Sequence, residues 1–142
     1  ANVQTSVSFV QSTKTPEELS GKLVNSCGQP ETLKGDEKIY EISVQYAKEN
    51  REGRKEGYDC ILSFDYACES MELYVNGRKV NDYFYTGQKA LFSLGYFDFP
   101  IEITAVLHPL HEGDHIYLQE WPKMDDKKAC RIEAITLTEQ FS

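Results

Sequence analysis

The residues able to do chemistry in this 142-residue chain are 23 carboxylates, three histidines, four cysteines and one tryptophan set among nine tyrosines and seven phenylalanines. Two carboxyl groups held several ångströms apart across a sugar can cleave a glycosidic bond. Asp59, Asp65 and Glu72, however, fall on the polar phase of alternating stretches and read as the wet face of an amphipathic sheet. His108, His111 and His115 lie close together, and the last two have the four-residue spacing that suits a metal on a helix. Pro109 and Gly113 deny that helix, so a solvated loop is expected. Gly113-Asp114 and Asp125-Asp126 could offer oxygen ligands to a structural Ca²⁺, with plain charged turns as the alternative. Cys27, Cys60, Cys68 and Cys130 contain no Cys-x-x-Cys pair, and no histidine stands at ligand spacing from them, which argues against zinc. Cys60 is in phase with Leu62 and Phe64 and is expected to be a buried thiol; the state of the other cysteines is left open. No Gly-x-Ser-x-Gly elbow is present. No catalytic residue is assigned, and no cofactor is expected.

Aromatic side chains are the stronger candidates. Sugar rings stack their apolar faces on Trp and Tyr, while amides and carboxylates bond the hydroxyls at the ring edge. Trp121 precedes Pro122 and is expected beside a loop at a sheet end. Tyr83 and Tyr85 share one strand face opposite Phe84. If Phe84 is core, the two tyrosines point outward as a patch fit for a neighbouring domain or a glycan. Burial in an aromatic-rich core is the competing expectation.

Strands must position these groups. Met71 to Val80 alternates apolar and polar residues through Asn76-Gly77, the strongest short hairpin signal a sequence carries. A regular two-residue turn sets Val75 against Arg78 and Leu73 against Val80. Alternation also marks strands at Lys38–Tyr46, Tyr58–Tyr66 and Ile101–Leu107; the apolar and aromatic stretch Ala90–Phe97, with Gly95 expected at a bulge, and the stretches His115–Trp121 and Arg131–Thr138 are read as strands too. A short strand is expected at Val7–Val10, and a helical turn at Thr15-Pro16-Glu17-Glu18-Leu19 with Thr15 as cap. Lys48–Gly57 reads as a charged loop. The expected fold is all-β: one domain spanning 1–142, an antiparallel jelly-roll sandwich of eight or nine strands over 36–140, with an irregular lead-in over 1–35 and at most one short helix.

The net charge is −8. That disfavours nucleic acid and anionic membrane surfaces as partners, since both are bound by clustered Lys and Arg. No apolar run is long enough to span a bilayer, and no signal peptide is read at the start.

The segment Leu73-Tyr74-Val75-Asn76-Gly77-Arg78-Lys79-Val80-Asn81-Asp82-Tyr83-Phe84-Tyr85-Thr86-Gly87 resembles a stretch in the C-terminal β-sandwich domain of bacterial family 35 β-galactosidases. Leu62-Ser63-Phe64-Asp65-Tyr66 fits the strand before it. Pro109-Leu110 with Gly113-Asp114-His115-Ile116-Tyr117-Leu118 fits the closing strand. The likeness covers roughly residues 38 to 138. Similar pieces occur in galactose-binding-like domains of other sugar-cleaving enzymes. The resemblance implies a non-catalytic accessory domain, packed on a catalytic barrel that holds the catalytic glutamates. It also implies a periplasmic or extracellular location, and glycan contact is a possible addition. An autonomous carbohydrate-binding module and a free-standing protein-interaction domain are the alternatives.

Overall fold

The computed structural model describes residues 5–45, 58–95, 97 and 101–141. The Lys48–Gly57 loop and Tyr46 lie outside them. The strands are β1 (Ser6–Gln11), β2 (Lys38–Gln45), β3 (Tyr58–Ala67), β4 (Ser70–Val75), β5 (Arg78–Phe84), β6 (Ala90–Ser93), β7 (Ile101–His108), β8 (Leu110–His111), β9 (Lys128–Ala129) and β10 (Arg131–Phe141), with one helical turn, α1 (Pro16–Leu19). A five-stranded sheet in the order β1-β2-β7-β4-β5 faces a three-stranded sheet in the order β10-β3-β6, and β8 pairs with β9. The pairings are antiparallel, and the molecule is a β-sandwich. The core between the layers is built from the alternating positions: Tyr40, Ile42 and Val44 of β2, Cys60, Leu62 and Phe64 of β3, Met71 and Leu73 of β4, and Ile101, Ile103, Ala105 and Leu107 of β7. Cys60 is fully buried, as its phase requires, and no disulfide joins the cysteines.

Residues 15–37 are more ordered than an irregular lead-in. Thr15 caps α1, its hydroxyl accepting from the Glu18 N–H at 3.2 Å. The segment then crosses the outer face of the five-stranded sheet, where Leu19, Leu23 and Leu33 pack on Ile39, Tyr74 and Val106. Backbone bonds from Val24 N–H to the Gly77 carbonyl and from Lys79 N–H to the Val24 carbonyl fasten it to the start of β5. Val106 and Tyr74 look like exceptions to strand alternation because this second, smaller core lies outside the sandwich.

The β4–β5 hairpin forms at Asn76-Gly77, with φ of 52° and 78°, the left-handed pair that a type I′ turn requires. Its register departs from the regular one. Val75 pairs with Arg78 and Tyr74 with Lys79, but Leu73 then pairs with Asn81 rather than Val80. The extra residue is a β-bulge, and it reverses the facing of everything beyond it. Met71 therefore lies opposite Tyr83, and Ser70 opposite Phe84.

Two further expectations change. The stretch 115–121 is not a strand; Leu118 is buried and Ile116 partly so, against Leu110, Ala129 and Ala67 at one end of the sandwich, while Tyr117 is exposed. Its alternation reports this one-sided contact with an end cap, since β3 is already paired on both edges by β10 and β6. Strand β6 ends at Ser93, so Gly95 lies in the turn after it rather than at a bulge within it.

Candidate functional site: an aromatic groove and an internal charge network

The bulge decides what the aromatic candidates can do. Phe84 is not core but 75% exposed, whereas Tyr83 and Tyr85 are half-buried against the interior. The expected outward tyrosine pair does not form. Tyr83 donates its hydroxyl to the Leu91 carbonyl at 2.8 Å and accepts from the Asn81 amide, tying β5 to β6 across the open side of the sandwich. Burial raises its pKa to about 12, so it stays protonated.

Tyr85 and Trp121, distant in sequence, line one open groove of about 730 Å³. One wall is the turn after β5, Tyr85-Thr86-Gly87-Gln88; the other is 119–123, holding Gln119, Glu120, Trp121, Pro122 and Lys123. Gly87 has a φ of 88°, which lets the first wall turn sharply. Tyr85 is braced edge-on by Tyr66, with ring centres 5.3 Å apart and planes at 85°. Arg131, at the start of β10, braces the second wall: its Nη1 donates to the Lys123 carbonyl at 2.7 Å, while its Nε is held by Glu133 at 2.7 Å. The structure thus brings Tyr85 and Trp121 together and leaves Tyr83 out.

A second cluster was not legible as one. His108 lies on β7 rather than in a solvated loop, with its Nε2 2.6 Å from Glu72 Oε1 and its Nδ1 3.8 Å from Glu37 Oε2. Glu72, expected on a wet face, also pairs with Lys79, which reaches Glu31 at 3.2 Å. Burial alone would push the Glu72 carboxyl up, but the hydrogen bonds from His108 and Lys79 outweigh it and hold the group at about 2. The Glu72 hydrogen bond raises His108 more than burial lowers it. Glu37 is lowered against its burial by the Lys34 and Gly35 N–H groups, each at 2.7 Å. These groups join 31–37 to β4, β5 and β7, so each charge is met within the protein and the network acts as a fastening.

Of the other carboxylates singled out in the sequence, most meet a partner within the protein. Asp59 accepts from Ser93 at 2.8 Å and from the Cys60 N–H at 2.7 Å, and Asp65 is exposed. Of the calcium candidates, Asp114 accepts from the His111 N–H at 2.8 Å and Asp125 faces Arg131 at 3.9 Å. Among the described residues, no three His, Cys, Asp or Glu side chains are grouped to hold a metal ion. A smaller cleft of about 190 Å³ lies between Lys38, Lys128, Cys130 and Arg131, where burial raises the Cys130 thiol to about 11 and keeps it unreactive.

No protein-family model matches the chain, and no curated relative does. Among solved structures, a β-glucuronidase of Bifidobacterium dentium, complexed with coumarin-3-O-glucuronide, is similar over 73% of this chain at a TM-score of 0.43 and 15% identity. That structural neighbour is a glycoside hydrolase, and the chain spans 19% of its length.

Proposed function

We propose that this chain is a non-catalytic accessory β-sandwich domain of a larger carbohydrate-active enzyme of the β-galactosidase-like kind, packed on its catalytic domain and working outside the cytoplasm. The resemblance in the hairpin and its neighbouring strands supports the class. The observation that carries the packing role is the open side of the sandwich. There β5 and β6 are the outer strands of the two sheets, and each presents a large apolar residue, Phe84 at 75% and Leu91 at 61% exposure. Edge strands with apolar side chains invite pairing and are normally covered. The lead-in covers the start of the outer edge of β5 at Val24, but among the described residues no strand pairs with that outer edge beyond Lys79 or with the outer edge of β6. A catalytic domain seated there would bury both side chains.

The test is amide hydrogen exchange on the 142-residue chain and on the product of the whole reading frame. Amides of Asn81–Phe84 and Ala90–Ser93 are expected to exchange more slowly in the longer protein, and Phe84→Lys with Leu91→Lys should abolish the difference. Equal exchange in the two proteins refutes the packing role.

A further inference from the structure

We propose that the groove between Tyr85 and Trp121 is a binding site for a neutral hexopyranose unit of a glycan, a reading that does not depend on the domain packing described above. Four observations converge on it. The groove is open and about 730 Å³, within the ~300–1,000 Å³ usual for small-molecule sites. It sets two aromatic residues, Tyr85 and Trp121, into its walls, and Trp121 stays 37% exposed where most other large rings among the described residues are buried or half-buried. An aromatic ring left accessible beside polar groups suits a ligand with one apolar face and a polar edge, which is the shape of a pyranose.

The polar groups fit the edge of such a ring. Gln88, Gln119, Glu120 and Lys123 line the groove, and their side chains bond no described residue. Together they supply amide donors and acceptors, a carboxylate acceptor and an ammonium donor. The charges of Glu120 and Lys123 cancel, so the groove favours a neutral sugar over an acidic or amino sugar. Both walls are held before any ligand arrives, Tyr85 by Tyr66 and the Trp121 segment through Arg131. Preorganisation lowers the ordering cost that otherwise cancels weak contacts. Arg131 is thus a positioning residue, reaching the site through the Lys123 carbonyl.

Because Trp121 is the chain's single tryptophan, its fluorescence reports on the groove directly. The experiment titrates the chain with lactose, cellobiose and mannobiose, with glucuronic acid as the charged comparison. At least one neutral disaccharide is expected to shift the emission saturably. Tyr85→Ala should weaken that sugar about tenfold, the loss of a stacked ring. Trp121→Ala, followed by calorimetry, should abolish heat of binding while the far-ultraviolet dichroism stays that of a folded sheet protein. Arg131→Ala should weaken binding several-fold, and Phe84→Ser should leave it unchanged. A silent tryptophan with all three neutral sugars overturns the proposal. So does binding of glucuronic acid alone, or undiminished calorimetric binding in Trp121→Ala. Failure here leaves the accessory role standing, since that role is read from amide exchange at β5 and β6.

Discussion

Replacing Glu72 by glutamine tests the internal charge network. The carboxylate is held at about 2 against an ordinary 4.5, and its side chain is only 15% exposed. At ~1.4 kcal/mol per pH unit the difference corresponds to about 3 kcal/mol of preference for the charged form in the folded state. Lys79 and His108 are 21% and 24% exposed, so partial screening reduces the expected cost of Glu72→Gln to about 2 kcal/mol. The pH dependence has a definite sign. A depressed carboxyl contributes fully above its unfolded value of 4.5, and the contribution is lost as pH falls toward about 2. His108 is raised, so its share is complete below its unfolded value of 6.5 and is lost as pH rises through its folded value. The gap in stability between the parent and Glu72→Gln should therefore peak between 4.5 and 6.5, shrink on the acid side, and fall partway on the alkaline side, where Lys79 still pairs. Urea unfolding followed by circular dichroism across this range measures it. A gap under about 0.5 kcal/mol, or one that does not vary with pH, refutes the reasoning.

Gly77→Ala forces an L-residue to a φ of 78° and should cost about 1–2 kcal/mol in urea unfolding. Asn76 sits at 52° beside it and tolerates the region better, so Asn76→Gly should be close to neutral in the same assay. Leu23→Ala empties the small outer core and should cost about 2–4 kcal/mol, with the largest gain in amide exchange at Val24 and Lys79 rather than in β3. Tyr74 is buried, and its hydroxyl finds no hydrogen-bond partner within bonding geometry among the described residues, although Glu72 and Glu31 charges lie near it. Tyr74→Phe should leave stability unchanged or raise it by up to about 1 kcal/mol. A loss in that variant would mean that the hydroxyl bonds Glu72 after all.

What could be read from the sequence was the part written in period two. Tyr40, Ile42 and Val44, or Leu62 and Phe64, announce a buried face because neighbouring strands supply the other half of the contact. The turn at Asn76-Gly77 was legible because few other residue pairs hold two positive φ values so cheaply. The bulge at Val80 was not, since nothing local distinguishes a residue added to a ladder from one within it. That single insertion moved Tyr83 and Tyr85 inward and Phe84 outward. His115–Trp121 misled for a related reason: alternation records one-sided burial, and Leu118 is buried, with Ile116 partly so, against an end cap instead of within a ladder. The Glu72–His108 and His108–Glu37 contacts join residues 36 and 71 positions apart. The pairing of Tyr85 with Trp121 likewise depends on tertiary placement, although composition had already marked both rings. Leu19, Leu23 and Leu33 carried a usable hint, because three leucines in a polar lead-in need something to cover.

The central proposal is that this sandwich serves a sugar-cleaving enzyme without itself breaking bonds. Release of nitrophenol from aryl β-galactosides tests it most directly, comparing the 142-residue chain with the product of the whole reading frame at equal concentration. The account predicts turnover by the longer protein and none by the chain alone. Hydrolysis by the isolated chain, or a longer product inactive on every aryl glycoside tried, would contradict it.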